Sequence, residues 1–374
     1  QKGKISVRKT GDIFTSVTMA SSAYTDENGE MIVNPTTYTP VFADGDLSGA
    51  VFQVIAVEDI VTLDGTTRAY AGDVVSEITT DENGYAETEP LYLGKYEVRE
   101  IKAPYGYVLN NEPKDVELTY AGQEFEVRDT VDTEFENEYQ SVRISLSKVM
   151  ENDKLFGIYG ENCYTSVRFG LFAAEDIQAA DGTVIPADGL ISEVSLDENM
   201  TAKFDVQIPF GRYYVKEIST DEHYVLGGEK YLVNFEYMGQ DIRTSDIDCG
   251  QFVNLLKRGR IEGHKVDDKS EPLENAVFGL FTADCVKFSR DTAVMTAASD
   301  ENGYFVFDEI PYGEYIIHEI ESPRGYILSG KEYAVSIAED GEVIEITAEN
   351  KPITVEISKR DVYGKELVGA EMVL

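Results

Sequence analysis

Three glutamates stand where apolar residues are expected. In "GKYEVREIKAPYGYVL" (94–109), Tyr96, Val98 and Glu100 share one parity, and in a strand one parity is one face. The motif returns as "GRYYVKEISTDEHYVL" (211–226) and "GEYIIHEIESPRGYIL" (313–328), placing Glu217 and Glu319 six residues after a glycine, as Glu100 is. Upstream, short alternating runs end in a lysine of the apolar parity: "ISVRK" at Lys9, "VRISLSK" at Lys148, "RIEGHK" at Lys265 and "ITVEISK" at Lys359. Downstream, "TEFEN", "GQFVN" and "VIEITAEN" end at Asn137, Asn254 and Asn350. An amine, an acid and a carboxamide facing one core point to one reaction. Desolvation drives the amine toward its neutral, nucleophilic form and the acid toward its protonated form. A protonated Glu polarises the Asn carbonyl and then passes its proton to departing ammonia, leaving a Lys–Asn amide. Folding supplies the proximity, so the chemistry runs once within the chain and is not enzymatic turnover. The competing reading is a buried Lys–Glu ion pair with Asn as hydrogen-bond partner; amide formation removes the charges that burial penalises.

These side chains need regularly spaced strands to carry them. The Glu-to-Asn separations are 37, 37 and 31 residues, and each Asn precedes the next Lys by 11, 11 and 9. That constancy divides the chain into modules at 1–139 (with a long insertion at 10–49), 140–256 and 257–351, with 352–374 as the first strand or strands of a truncated fourth. The connectors "EYQSV", "LLKRG" and "KP" are too short for flexible spacers, so a stiff rod is expected. Period-two alternation and abundant Tyr, Val, Ile, Phe and Thr predict strands throughout, with no amphipathic helix of useful length. "DENG" at 26–29, 81–84 and 300–303, and "DENM" at 197–200, predict hairpin turns. A calcium loop starting at Asp81 fails because its twelfth position is Tyr92, where a bidentate Glu is needed. About seven strands per roughly 100 residues predict an all-β, two-sheet sandwich.

Composition narrows the function. The 374 residues are 42% apolar and include 23 Tyr and 17 Phe, enough for real cores. A net charge of −38 argues against nucleic acid and against anionic membranes. No apolar run is long enough to span a bilayer, and no signal peptide or Leu-Pro-x-Thr-Gly motif is present; residue 1 reads as a cut end. The three cysteines are an odd number, leaving a Cys163–Cys249 disulfide or buried free thiols as the alternatives; "NCYT" and "DCGQ" are weak signals for a thioester. His223, His264 and His318 show no metal-ligand spacing, so no metal and no cofactor is expected.

The terminal-strand Lys, the "G-x-Y-x-x-x-E-x-x-A-P-x-G-Y" box and the closing Asn resemble the collagen-adhesin (Cna) B-type and SpaA-like pilin domains of Gram-positive surface proteins. The resemblance covers essentially the whole chain, helped by "SGAVFQV", "VRFGLF", "NAVFGLF" and "VGAEMVL". It implies tandem prealbumin-like (inverse immunoglobulin-type) sandwiches with isopeptide bonds Lys9–Asn137, Lys148–Asn254 and Lys265–Asn350, promoted by Glu100, Glu217 and Glu319. The second box, "EISTDEHY", departs from the pattern, which puts its bond in question, and Lys359 has neither partner. The resemblance also implies an extracellular, wall-anchored stalk or adhesin, joined to peptidoglycan through regions outside this stretch. The insertion at 10–49 is read as an extra hairpin; the sharper alternative is a contact surface for host matrix or glycan, with Tyr24, Tyr38 and Phe42 as its residues. A glycosidase with paired carboxylates is disfavoured, because no second inward acid recurs with the first.

Overall fold

The computed structural model describes residues 1–26, 28–122, 130–369 and 371. The strands that position the site are β1 (Ile5–Ala20), β2 (Thr37–Asp46), β3 (Val51–Ala56), β4 (Gly94–Lys102), β5 (Val131–Asn137), β6 (Ser141–Met150), β7 (Arg168–Ala173), β8 (Leu190–Ser195), β9 (Gly211–Ser219), β10 (Thr244–Asn254), β11 (Arg258–Asp267), β12 (Val277–Thr282), β13 (Gly313–Glu321) and β14 (Val343–Asn350). Among the described residues helix is confined to two short 3-10 turns, and no helix is long and apolar enough to cross a membrane. The chain forms two compact units: 1–149 with 164–220 and 226–252, and 150–163 with 221–225 and 253–374.

In the first unit, β1 alternates as the sequence requires, with Ile5, Val7 and Lys9 all buried. Its first half pairs with Tyr85–Glu87 and, in parallel, with β5. Opposite lies an antiparallel sheet in the order Lys114–Leu118, β4, β3, Val74–Thr79. Between them Phe52, Val54, Tyr96, Val98 and Phe135 complete the core. The second half of β1 runs on into the insertion and pairs antiparallel with β2, from Thr10 opposite Asp46 to Ala20 opposite Thr37. The insertion is therefore a long hairpin, tipped by the short pair Ala23–Thr25 and Met31–Val33. β2 meets β8 where Leu190 lies opposite Thr37, and β8 leads to β7, β9 and Lys230–Phe235. Val17 N–H also donates to Thr183 Oγ1 at 2.8 Å. One eight-stranded sheet thus serves the first two repeats, which explains why this unit is larger than a single repeat.

The second unit repeats the plan on a smaller scale. β11 lies between Tyr304–Pro311 and a parallel β14. The facing sheet is Met295–Ala298, β12, β13, Glu332–Ile337. Ile261, Phe278, Leu280, Phe305 and Ile317 fill the space between. The weak apolar row before Lys265 is accounted for here, since a Cβ on Gly263 would run into the Phe305 ring.

The "DENG" stretches need a correction. Residues 81–84 join Val74–Thr79 of one sheet to Tyr85–Glu87 of the other, and 197–200 and 300–303 also link strands of different sheets. They are corners, not hairpins. Local bonds close each loop, with Asp81 Oδ1 accepting from the N–H of Asn83 and of Tyr85 and the Asp81 and Gly84 N–H groups donating to the carbonyls of Tyr85 and Asp81, so no pairing of the flanking strands is required. Only 26–29, whose Glu27 lies outside the described residues, is flanked by paired strands. Each corner then docks on an inward lysine: the N–H groups of Lys9, Lys148 and Lys265 donate to the carbonyls of Gly84, Met200 and Gly303 at 2.7, 2.8 and 2.6 Å. All three carbonyl residues are left-handed, at φ 66°, 60° and 74°, which only glycine adopts without strain. Met200→Gly should therefore raise the unfolding free energy by about 0.5–1 kcal/mol, read as a higher urea midpoint.

Lys359 is exposed, and no regular strand forms over 353–359. The "VGAEMVL" landmark falls largely outside the described residues.

Candidate cross-linking sites

Register brings the first trio together. On the parallel pair β1–β5, Lys9 lies opposite Phe135, so Asn137, two residues on, presents its side chain to the same face. Glu100 reaches them from the other sheet, where β4 sets it opposite Phe52 of β3. All three are buried. Lys9 Nζ donates to Asn137 Oδ1 and lies 3.4 Å from Glu100 Oε1. Asn137 Nδ2 donates to that same Oε1 at 3.1 Å, while Asn110 N–H donates to Oε2 at 2.8 Å. The rings of Phe52 and Phe135 flank the amine at 5.8 and 5.7 Å.

The third repeat rebuilds this geometry. Lys265 is opposite Ala348, and Asn350 follows two residues later. Lys265 Nζ is 3.5 Å from Glu319 Oε1, which accepts from Asn350 Nδ2 at 2.9 Å; Ser329 N–H donates to Oε2 at 2.8 Å. Asn350 Oδ1 is buried without a hydrogen-bond partner among the described residues. In the second repeat, Lys148 Nζ and Glu217 Oε1 form a buried pair at 2.8 Å, and Gly227 N–H donates to Oε2 at 2.8 Å. Asn254 is buried at the end of β10, where its carbonyl accepts from Glu151 N–H.

Burial governs the charge states. It pushes the Lys9 amine down to about 8 against the opposing pull of Glu100, and it lowers Lys148 and Lys265 in the same way. Burial also raises Glu100, countered by Lys9. A buried amine shifted toward neutrality, beside a carboxyl shifted toward its acid form, is a nucleophile with a proton donor. The Asn137 and Asn350 carboxamides both turn their nitrogen toward the Glu. The acid therefore sits beside the leaving group rather than the carbonyl, the contact expected from the sequence. A cleft of about 380 Å³ opens beside Asn137, with Asn110, Glu136 and Arg243 among its lining residues.

Sequence reasoning missed the partners that fix each Glu. In every repeat Oε2 is held by the backbone N–H ten residues on, directly after "YVL", "YVL" and "YIL", and that shared tripeptide was the available signal. The box Tyr is fixed too: Tyr96, Tyr213 and Tyr315 donate to the carbonyls of Tyr92, Pro209 and Pro311. Of the insertion residues, Phe42 packs on Phe14 and Tyr139 at 5.6 and 5.3 Å, Tyr38 is half-buried, and Tyr24 is exposed. All three thiols are free; Cys249 alone is buried, whereas Cys163 and Cys285 are half-exposed.

Facing sheets of this order, repeated along the chain around an inward Lys and Glu, define a tandem prealbumin-like β-sandwich protein. Residues 42–133 and 259–352 match the SpaA prealbumin-like fold domain family, and the chain carries domains of that family. Over 138 residues it is 25% identical to the trypsin-resistant surface T6 protein of Streptococcus pyogenes, a match spanning 36% of this chain and 24% of that protein. The Bacillus anthracis TIE protein superposes with a TM-score of 0.59 at 22% identity, covering 90% of this chain and 58% of that one. The BcpA major pilin subunit of Bacillus cereus aligns over 94% of this chain and all of its own, at 17% identity and a TM-score of 0.39. This chain thus spans about a quarter of the curated relative and under two thirds of the TIE structure.

Proposed function

We propose that this chain is a structural stalk or adhesin segment of a Gram-positive surface protein, built of modules 1–139, 140–256 and 257–351 that cross-link themselves through Lys9–Asn137, Lys148–Asn254 and Lys265–Asn350. The observation that carries the reading is the first trio: a buried amine hydrogen-bonded to a carboxamide oxygen, with a carboxyl on the carboxamide nitrogen. In the step itself, neutral Lys9 Nζ attacks the Asn137 carbonyl carbon, the C–Nδ2 bond breaks, and proton transfer through Glu100 lets the nitrogen leave as ammonia. The cleft at Asn137 offers ammonia a way out. The bond would tie the first strand of a module to its last, so tension passes through the amide and not through the sheets. Resistance to trypsin, part of the streptococcal relative's name, is the property such bonds would confer.

Intact mass tests the proposal directly. Each bond should lower the mass by about 17 Da, and tryptic mapping should return branched Lys–Asn peptides. A mass equal to the sequence value sinks it. The rate should also depend on pH. In unlinked chain refolded from inclusion bodies, first-module mass loss should rise about tenfold per pH unit below about 8, because only neutral Lys9 reacts. Loss of the Glu100 proton, which burial holds above the usual carboxylate range, works against this gain.

A second reading, adhesion through the insertion, is favoured by one observation: Met19, Tyr24, Met31 and Val33 are exposed around the hairpin tip. Tyr24→Ala should weaken adhesion to host matrix or glycan on an array, and unchanged adhesion removes this reading.

A further inference from the structure

Cys163, Asp221 and His223 converge at one corner of the second unit. One ligand atom from each lies within 4.8 Å of the other two. Local hydrogen bonds hold all three. Cys163 N–H donates to Gly160 O at 3.0 Å, closing the first 3-10 turn, and its Sγ lies 3.8 Å from Tyr159 O. Across from it, Asp221 Oδ1 accepts from His223 N–H at 3.1 Å and lies 2.6 Å from Nδ1. Tyr224 N–H donates to Asp221 O at 3.0 Å, and the His223 ring meets Tyr312 edge-on at 5.0 Å. None of the three takes part in a cross-linking trio. Histidine spacing in the sequence gave no hint, because the ligands come from segments far apart in the chain.

Thiolate, imidazole and carboxylate form a donor set for a borderline-soft cation; calcium and magnesium prefer oxygen alone. Burial, together with the carboxylate beside the thiol, holds Cys163 in its protonated form, and a dication there would turn that repulsion into shared ligation. Partial exposure leaves the ligands open to entering metal. We propose that Cys163, Asp221 and His223 bind a divalent transition metal of the zinc class, with a remaining position open to water. Binding exchanges the thiol proton for the metal, so that Cys–SH and M²⁺ give Cys–S–M⁺ and H⁺. The ion pins the turn at 160–163 to the turn at 221–224.

Cobalt(II) is the probe, because its thiolate complexes absorb strongly. The purified chain should bind one equivalent with a thiolate-to-cobalt charge-transfer band, and zinc should displace it. Cys163→Ser should abolish the band and weaken binding at least about tenfold, while Cys285→Ser should leave both unchanged. His223→Gln should weaken binding by a similar factor with the band recovered at higher cobalt, which keeps the test open should Cys163→Ser fold poorly. No band in the wild-type chain, or an undiminished band in Cys163→Ser, overturns the assignment.

Discussion

Glu100→Gln and Glu319→Gln together should leave the first and third repeats at their uncross-linked mass. The substitution keeps the shape of the side chain and the acceptor that holds Asn110 or Ser329, but it removes the acidic proton that must reach departing ammonia. Losing the amide reopens a loop of 128 residues in the first repeat. By analogy with a disulfide closing a ~100-residue loop, that is worth roughly 4–5 kcal/mol in the unfolded state. At about 2–4 °C per kcal/mol for a unit of about 150–250 residues, the class to which the first unit belongs, its melting transition should fall by roughly 8–20 °C. Trypsin should then cut within these repeats. A mass deficit of about 17 Da persisting at Lys9 in Glu100→Gln would show that the acid is dispensable.

Gly303→Ala should be strongly damaging although it lies outside the trios. The added Cβ would press on the Lys265 carbonyl oxygen, and the position is left-handed at φ 74°. Strain and displacement together should cost about 2–4 kcal/mol, seen as a lower urea midpoint. Gly341→Ala is the control, since φ is similar at 77° but a Cβ there meets open space. It should lose only about 1 kcal/mol. The two variants also differ chemically. Moving the corner at Gly303 disturbs the hydrogen bond on Lys265 N–H, so Gly303→Ala should slow formation of the third-repeat amide, whereas Gly341→Ala should not. Equal losses in the two variants would mean the corner does not support the lysine.

The all-β sandwich was legible because alternation is a local signal. Ile5, Val7 and Lys9 announce their shared face within five residues, and the recurrence of Gly, Tyr and Glu marks the opposing strand. What local pattern could not reveal was partnership. The Asp of "DENG" closes its loop equally well at a hairpin or at a corner between sheets, so the sequence cannot tell which strand follows into which sheet. The insertion hid its role for a similar reason: whether its strands lie free or extend the sheet of the next repeat depends on pairing with Leu190, far along the chain. Tyr38 and Phe42 looked available because aromatic residues on a loop and on a packed hairpin have the same composition. The grip on each Glu by the backbone ten residues on was also hidden, since any residue type offers an N–H.

The two-residue offset between Lys9 and Asn137 on adjacent parallel strands has a wider meaning if the amide forms. Everything from residue 10 to residue 136 would then hang beside the line of pull rather than within it. Such a scaffold could gain or lose surface decorations freely, because a new hairpin in the slack segment changes the outline of the protein without lengthening the tether.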